Sequence, residues 1–99
     1  MQRWHEALKD VETYLDMHPE DADLWYEKGR LNNILNKHQE ALTALDRSIQ
    51  LNNQQGLFYY EKMKSLLALG QKSAALALMG TVQKFGVQIE PEVQAALSQ

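Results

Sequence analysis

The sequence predicts an all-α protein in which antiparallel helix-turn-helix units stack side by side as a short solenoid. Three observations carry this. Tyr26-Glu27-Lys28 returns further along as Tyr60-Glu61-Lys62. Ala7-Leu8 returns at the same interval as Ala41-Leu42 and again as Ala75-Leu76, and Leu35 returns as Leu69. Between these marks the apolar residues fall at helical spacing. A fixed period of about 34 residues is the signature of a helical repeat array, in which each unit hides its apolar face against the next.

The first helix is expected from about Arg3 to Met17, with Trp4, Ala7, Leu8, Val11, Tyr14 and Leu15 forming one buried stripe. His18-Pro19-Glu20-Asp21 ends it, because a residue before proline is pushed out of the helical region. Asp21 suits the N-cap of a second helix running to about Leu35, with Asp23 favourable beside the positive end of the helix dipole. Asn36-Lys37 is a short turn, and Gly70-Gln71 is its counterpart. The third helix, about His38 to Leu51, turns Ala41, Leu42, Leu45 and Ile49 inward, and the polar run at 52–56 closes the unit.

A fourth helix, about Leu57 to Leu69, and a fifth, about Lys72 to Phe85, repeat the design. The fifth is apolar almost all round, through Ala74, Ala75, Leu76, Ala77, Leu78, Met79, Val82 and Phe85, and so is expected to be covered on both sides. Gly86 is a C-terminal stop. Glu90-Pro91 opens a last helix, since proline is tolerated in the first turn. Its Val93, Ala96 and Leu97 stripe is expected to lie over the fifth helix as an end cap.

The run W-Y-x-x-G at Trp25 to Gly29, the E-A-L at Glu40 to Leu42, the aliphatic Ile49 and Leu51, Pro19 and Gly70 together resemble the tetratricopeptide repeat. The resemblance covers nearly the whole chain, and implies a right-handed solenoid. The 99 residues then form one domain. About 3–17 is the second helix of a partial repeat, 22–55 and 56–89 are full repeats, and 90–99 is a capping helix. Several positions depart from the family pattern. Asn53 stands where a closing proline is usual, Met63 where Gly29 has its counterpart, and Tyr14 and Val82 where the family prefers alanine.

Composition bounds the chemistry. Hydrophobic residues make up 44% and charged residues 23%, which suits a folded helical domain rather than a low-complexity tail. With no cysteine, disulfides, thiolate catalysis and cysteine-based metal sites are excluded. No apolar run reaches the 18 or so residues that a membrane span needs, and the N-terminal M-Q-R-W-H-E-A lacks a signal-peptide core. A soluble chain is expected, in the cytoplasm or as an exported domain of a longer protein. The net charge of −3 is uneven. Residues 1–46 carry ten Asp/Glu against five Lys/Arg, and residues 47–99 three against five. That distribution is not the basic face of a nucleic-acid binder.

His5, His18 and His38 have no helical-spacing partner among themselves, so structural rather than catalytic roles are expected, with His38 packing in the turn at the place equivalent to Trp4. Ser48, Ser65 and Ser73 lie in helical patterns without a nucleophile elbow, and no glycine-rich phosphate loop exists. No catalytic residue, metal ligand or cofactor is therefore expected, and the chain reads as a non-enzyme.

The resemblance implies a concave groove lined by the first helix of each unit. Carried over position by position, its residues are Tyr26, Arg30 and Asn33, then Tyr60, Lys64 and Leu67. Spacing agrees, each triplet standing at i, i+4 and i+7 on one helical face. A tyrosine beneath a cation in both units would form a ladder for an extended peptide of some acidic character. The competing possibility is pairing within the chain, for instance Glu27 with Arg30. The carboxylate clamp of chaperone-tail readers is disfavoured, because Tyr26 and Glu61 stand at clamp places and a third full repeat is missing.

The expected function is a protein-protein interaction module that binds a peptide or partner helix in this groove. The alternative is an assembly or dimerisation segment of a larger protein that stacks through exposed helix edges. For that alternative Trp4, Leu8 or Val11 should be partly exposed, because the E-A-L at Glu6 to Leu8 is second-helix sequence with no first helix before it. Weak self-association through that edge would follow.

Overall fold

The computed structural model describes residues 2–99, which form helices joined by short turns and contain no strand. The helices are α1 (Gln2–Met17), α2 (Ala22–Ile34), α3 (His38–Leu51), α4 (Gly56–Ala68), α5 (Lys72–Ala77), α6 (Met79–Lys84) and α7 (Pro91–Ser98). The helices from α1 to α5 pack mainly on their neighbours in sequence, α6 packs mainly on α4, α7 rests on α4 and α5, and α2 also touches α4 directly. This is the all-α stacked-hairpin architecture expected from the sequence period.

The period is visible in the turns as well as in the helices. Asn36 adopts a left-handed φ of 63°, and Gly70, one period on, a φ of 77°. In both, the residue after the left-handed position bonds back five places, Lys37 N–H to the Asn32 carbonyl and Gln71 N–H to that of Leu66, each at 2.8 Å. The shorter bonds, Asn36 to Asn33 and Gly70 to Leu67, are both 3.1 Å. This paired closure satisfies helix-end carbonyls, and needs a residue that tolerates positive φ. At the other end, Asp21 caps α2 by accepting from the N–H groups of Asp23 at 3.0 Å and Leu24 at 3.3 Å.

A second equivalence survives a change of residue. The Trp25 ring N–H donates to the Pro19 carbonyl at 2.8 Å, and the Tyr59 hydroxyl donates to the Asn53 carbonyl at 2.9 Å. Asn53 therefore keeps the closing contact that Pro19 makes, because the bond uses a main-chain oxygen rather than the proline ring.

Two apolar clusters run through the stack. Leu8, Leu31 and Leu35 join α1 to α2, with Trp4, Ala7, Val11 and Ile34 packed around them. Leu42, Tyr60, Met63, Leu66, Ala75, Val82 and Leu97 join the later helices. Between them α2 and α3 meet at a glycine. A Cβ on Gly29 would lie 2.5 Å from Leu45 Cγ, so only glycine allows this approach. Met63, at the equivalent place in α4, is fully buried instead, filling the space that helix apposition leaves there.

Four expectations need correction. Tyr14 does not belong to the buried stripe of α1; it is 54% exposed, because only the Leu8 and Leu15 face meets α2. The expected fifth helix is divided at Leu78, whose N–H reaches the Ala75 carbonyl three residues back before α6 resumes. Gly80, Thr81 and Val82 just beyond are weak helix formers, which makes this the place where the helix tightens. Nor is α5 covered on both sides: Ala75 is buried but Ala74, Leu76 and Ala77 are exposed, since α4 and α7 approach from one side. Finally, Gly56 does not belong to the closing loop but starts α4, pressed against Phe85 and Val87.

The C-terminal α7 lies over α5 as expected and over α4 as well, and its Leu97 enters the core beside Ala75 and Val82. No helix among the described residues is long and apolar enough to cross a membrane.

Candidate functional site

Capping by Asp21 fixes the start of α2, and the left-handed turn at Asn36 fixes its end. Its Tyr26–Arg30–Asn33 face is thereby held beside the matching face of α4. Between the two lies a cleft of about 410 Å³ lined by Arg30, Asn33, Ile34, His38, Glu61 and Lys64. Three of the six residues expected from the sequence, Arg30, Asn33 and Lys64, line it. Tyr26, Tyr60 and Leu67 flank it on the same helices.

Asn33 is the hub. Its amide donates to the Glu61 carboxylate at 2.9 Å. Its carbonyl oxygen accepts from the Ser65 hydroxyl at 2.8 Å and lies 2.9 Å from His38 Nδ1. With that oxygen as the acceptor, Nδ1 of His38 carries the proton and Nε2 is left as an acceptor. The side chain of Glu61 is only 7% exposed, and its second strong partner is Lys64 Nζ at 2.7 Å. A buried carboxylate needs such partners to remain charged.

The cations are less free than the spacing suggests. Arg30 forms a two-pronged pair with Glu27, Nε to Oε1 at 3.2 Å and an Nη to Oε2 at 3.0 Å. The hydrogen bond to Glu27 raises the Arg30 pKa, outweighing partial burial. Lys64 meets Glu61, lies 3.8 Å from Glu90 and stands 5.1 Å over the Tyr60 ring. Burial alone would lower its pKa, but the hydrogen bond to Glu61 and the charges of Glu61 and Glu90 leave it raised.

The tyrosine ladder is uneven. Tyr60 and Lys64 make the stacked cation pair, whereas Tyr26 stacks on Phe58 with ring centroids 5.1 Å apart while Arg30 turns to Glu27. Tyr60 is 6% exposed, so its ring forms wall rather than open surface. Its hydroxyl donates to Glu90 at 3.0 Å and accepts from the Glu90 N–H at 2.9 Å. Burial first, then neighbouring carboxylates, raises the pKa of Tyr26; burial is also the main cause for Tyr60. Leu67 is half-buried against the core.

Ile34, His38, Glu61 and Glu90 went unforeseen as parts of the site. For Glu61 the signal was its place three residues before Lys64 on the same helix. For Glu90 no local signal exists, because it lies 30 residues from Tyr60 and on another element.

Two further clefts, each of about 380 Å³, meet at Trp25 and Lys28. There Lys28 pairs with Glu12 at 3.5 Å, and the equivalent Lys62 with Asp46 at 2.7 Å. These contacts repeat with the sequence period, so they tie each helix pair to the next. Among the described residues no group of three or more His, Asp or Glu could hold a metal ion.

A family model for the tetratricopeptide repeat matches residues 1–55. No curated protein matches the chain.

Proposed function

The chain belongs to the tetratricopeptide repeat family, and on that premise we propose that it binds a peptide or partner helix in the concave groove along α2 and α4. Repeats of this family generally serve as protein-protein interaction modules and are typically non-enzymatic. Residues 22–55 and 56–89 act as the two full units, 3–17 as the second helix of a partial unit and 90–99 as the cap.

The observation that carries the reading is the α2–α4 cleft, where partly exposed Arg30 and Lys64 stand beside half-buried Ile34 and the Asn33 hub. Apolar wall with a few fixed polar groups is the usual make-up of a recognition cleft. Tyr26 and Leu67 extend its apolar border, and Tyr60 supports Lys64 from beneath. Since both cations are paired internally, a partner gains by exchange of ion pairs rather than by meeting bare charge.

The test is selection of peptides by display against the intact chain, followed by mapping with amide chemical shifts. Selected peptides are expected to shift residues of α2 and α4, and Tyr26→Ala with Arg30→Gln is expected to weaken them at least about tenfold, the scale of a lost aromatic contact plus a charged one. Shifts confined to α3 and α5 would refute the groove.

The assembly reading keeps one supporting observation. On α1, Val11 and Ala7 are half-exposed and Tyr14 is exposed, while their equivalents on α3, Leu45, Ala41 and Ser48, are fully buried in a helix packed between α2 and α4. Sedimentation across a hundredfold range of concentration distinguishes the two. Self-association weakened by Val11→Asp supports stacking through this edge, and a strict monomer removes it.

A further inference from the structure

Glu90 is the N-cap residue of α7, with extended backbone angles of −62° and 148°, yet its side chain makes no capping bond to that helix. A carboxylate at this position normally accepts from the exposed N–H groups of the first turn. Here it turns away and lies against the groove instead, accepting from the Tyr60 hydroxyl at 3.0 Å with Lys64 Nζ 3.8 Å away.

The two carboxylates that meet Lys64 are unlike. Glu61 is buried, held at 2.7 Å by Lys64 and at 2.9 Å by Asn33, so it belongs to the framework. Glu90 is 56% exposed and its ion pair is longer. An exposed pair of that kind contributes little stability, so exchanging it for another carboxylate costs little. Its place is also the one an incoming acidic side chain would take, because the Tyr60 hydroxyl donates there and Lys64 supplies the charge.

Charge points the same way. Glu27 with Arg30 and Glu61 with Lys64 balance within the cleft. Glu90 adds one uncompensated negative charge at its edge.

Resting on the groove reading above, we propose that Glu90 is an internal occupant of a carboxylate site formed by Tyr60 and Lys64, and that an acidic side chain of the partner binds there by displacing it. The backbone N–H of Glu90 keeps its bond to the Tyr60 oxygen, so α7 stays docked while the side chain swings out. The Tyr60 hydroxyl then donates its hydrogen bond to the partner's carboxylate instead of to Glu90. The start of α7 thereby sets a threshold for acidic partners, and neutral ones do not feel it.

The probe is the capped peptide acetyl-Glu-Leu-Glu-Leu-Glu-amide, with its all-Gln counterpart as the uncharged control, titrated into the full chain while signals of Tyr60 and Lys64 are followed. Glu90→Ala is expected to bind the acidic peptide about five- to tenfold more tightly than the parent, the worth of one modest ionic contact. The Gln peptide should show no such gain. Glu92→Ala removes the same charge two residues further along α7, and is expected to give little gain. Adding Tyr60→Phe to Glu90→Ala should abolish the gain.

Glu90→Gln, which retains an acceptor for the Tyr60 hydroxyl, serves should the alanine variant loosen α7; it is expected to gain less but in the same direction. Equal gains in Glu90→Ala and Glu92→Ala would reduce the effect to net charge and overturn the proposal. So would no gain at position 90, or a gain that survives loss of the Tyr60 hydroxyl. These outcomes leave the groove itself standing if display-selected peptides still shift Tyr26 and Arg30; if those shifts are absent as well, the groove reading falls with it.

Discussion

Asn33 on α2 and Glu61 on α4 are 28 residues apart in sequence and 2.9 Å apart in space, amide to carboxylate. The bond joins the inner helices of successive hairpins, and the same asparagine also holds Ser65 and His38. Without the asparagine Glu61 keeps Lys64 and Ser65 keeps the Glu61 carbonyl, but the link between the two hairpins and the bond to His38 are lost.

Asn33→Ala is therefore expected to cost about 1–3 kcal/mol, the worth of hydrogen bonds lost including one to a charged group. Asn33→Asp keeps the acceptor for Ser65 and His38 but sets a second carboxylate against Glu61. It should be the more destabilised of the two near neutrality, and should recover in acid, because two carboxylates that share a site repel each other while both are charged. Urea unfolding at two pH values checks both; an Asp variant insensitive to pH would show that Glu61 does not face it.

The glycines divide by what a methyl group would meet. Gly29→Ala would bring Cβ to 2.5 Å from Leu45 Cγ, and Gly56→Ala to 2.6 Å from Phe85 Cβ. Each is expected to lose stability by about 1–3 kcal/mol through overpacking, which exceeds the roughly 1 kcal/mol that alanine gains in a helix. Gly80→Ala meets nothing within 4 Å and lies in α6, so it should be stabilised by up to about 1 kcal/mol. Thermal melts of the three variants would order them 80 above the parent and 29 and 56 below it.

Ala41 and Ala75, fully buried and one repeat period apart, occupy the seams of successive hairpins. Ala41→Leu and Ala75→Leu are each expected to cost about 1–3 kcal/mol by forcing packed helices apart. Parent-like melting of either would remove that alanine from the seam.

Alkaline pH should destabilise the chain in a defined way. Tyr26 and Tyr60 have pKa values raised above the ordinary 10.0, chiefly by burial, and Lys64 is raised above 10.5 through Glu61. The fold thus holds these protons more tightly than the unfolded chain does. Their stabilisation is fully present below the unfolded values and is lost as pH rises through the folded ones. Unfolding free energy should be flat on their account below pH 10 and fall above it. Ultraviolet titration of tyrosinate alongside circular dichroism tests the order: two tyrosines should ionise late, Tyr60→Phe should remove one of them, and early ionisation of all four would contradict their burial.

The site was legible in part. Arg30, Asn33 and Lys64 could be placed on one face because i, i+4 and i+7 positions of a helix necessarily align. Which of those groups remain available to a partner could not be read in the same way. Arg30 with Glu27 was foreseeable from a three-residue spacing, but Glu90 reaches Tyr60 only because α7 folds back across α4. Glu61 reads in sequence as an ordinary solvated glutamate, and becomes a buried one because Asn33 arrives from the neighbouring hairpin. Tyr14 departs from expectation for the converse reason: helical spacing marks a face as apolar, but says nothing about whether another helix covers it.

By itself the sequence determined the repeat period, the succession of helices and the places of the short turns at Asn36 and Gly70. All of these are local, set by side-chain volume, backbone preference and the winding of the helix. Tertiary structure alone decided the contact of Gly56 with Phe85, the bond of Asn33 to the buried Glu61 and the reach of Glu90 to Tyr60. Those depend on distances between residues far apart in sequence, which come into being only when successive hairpins stack and α7 closes over the last of them.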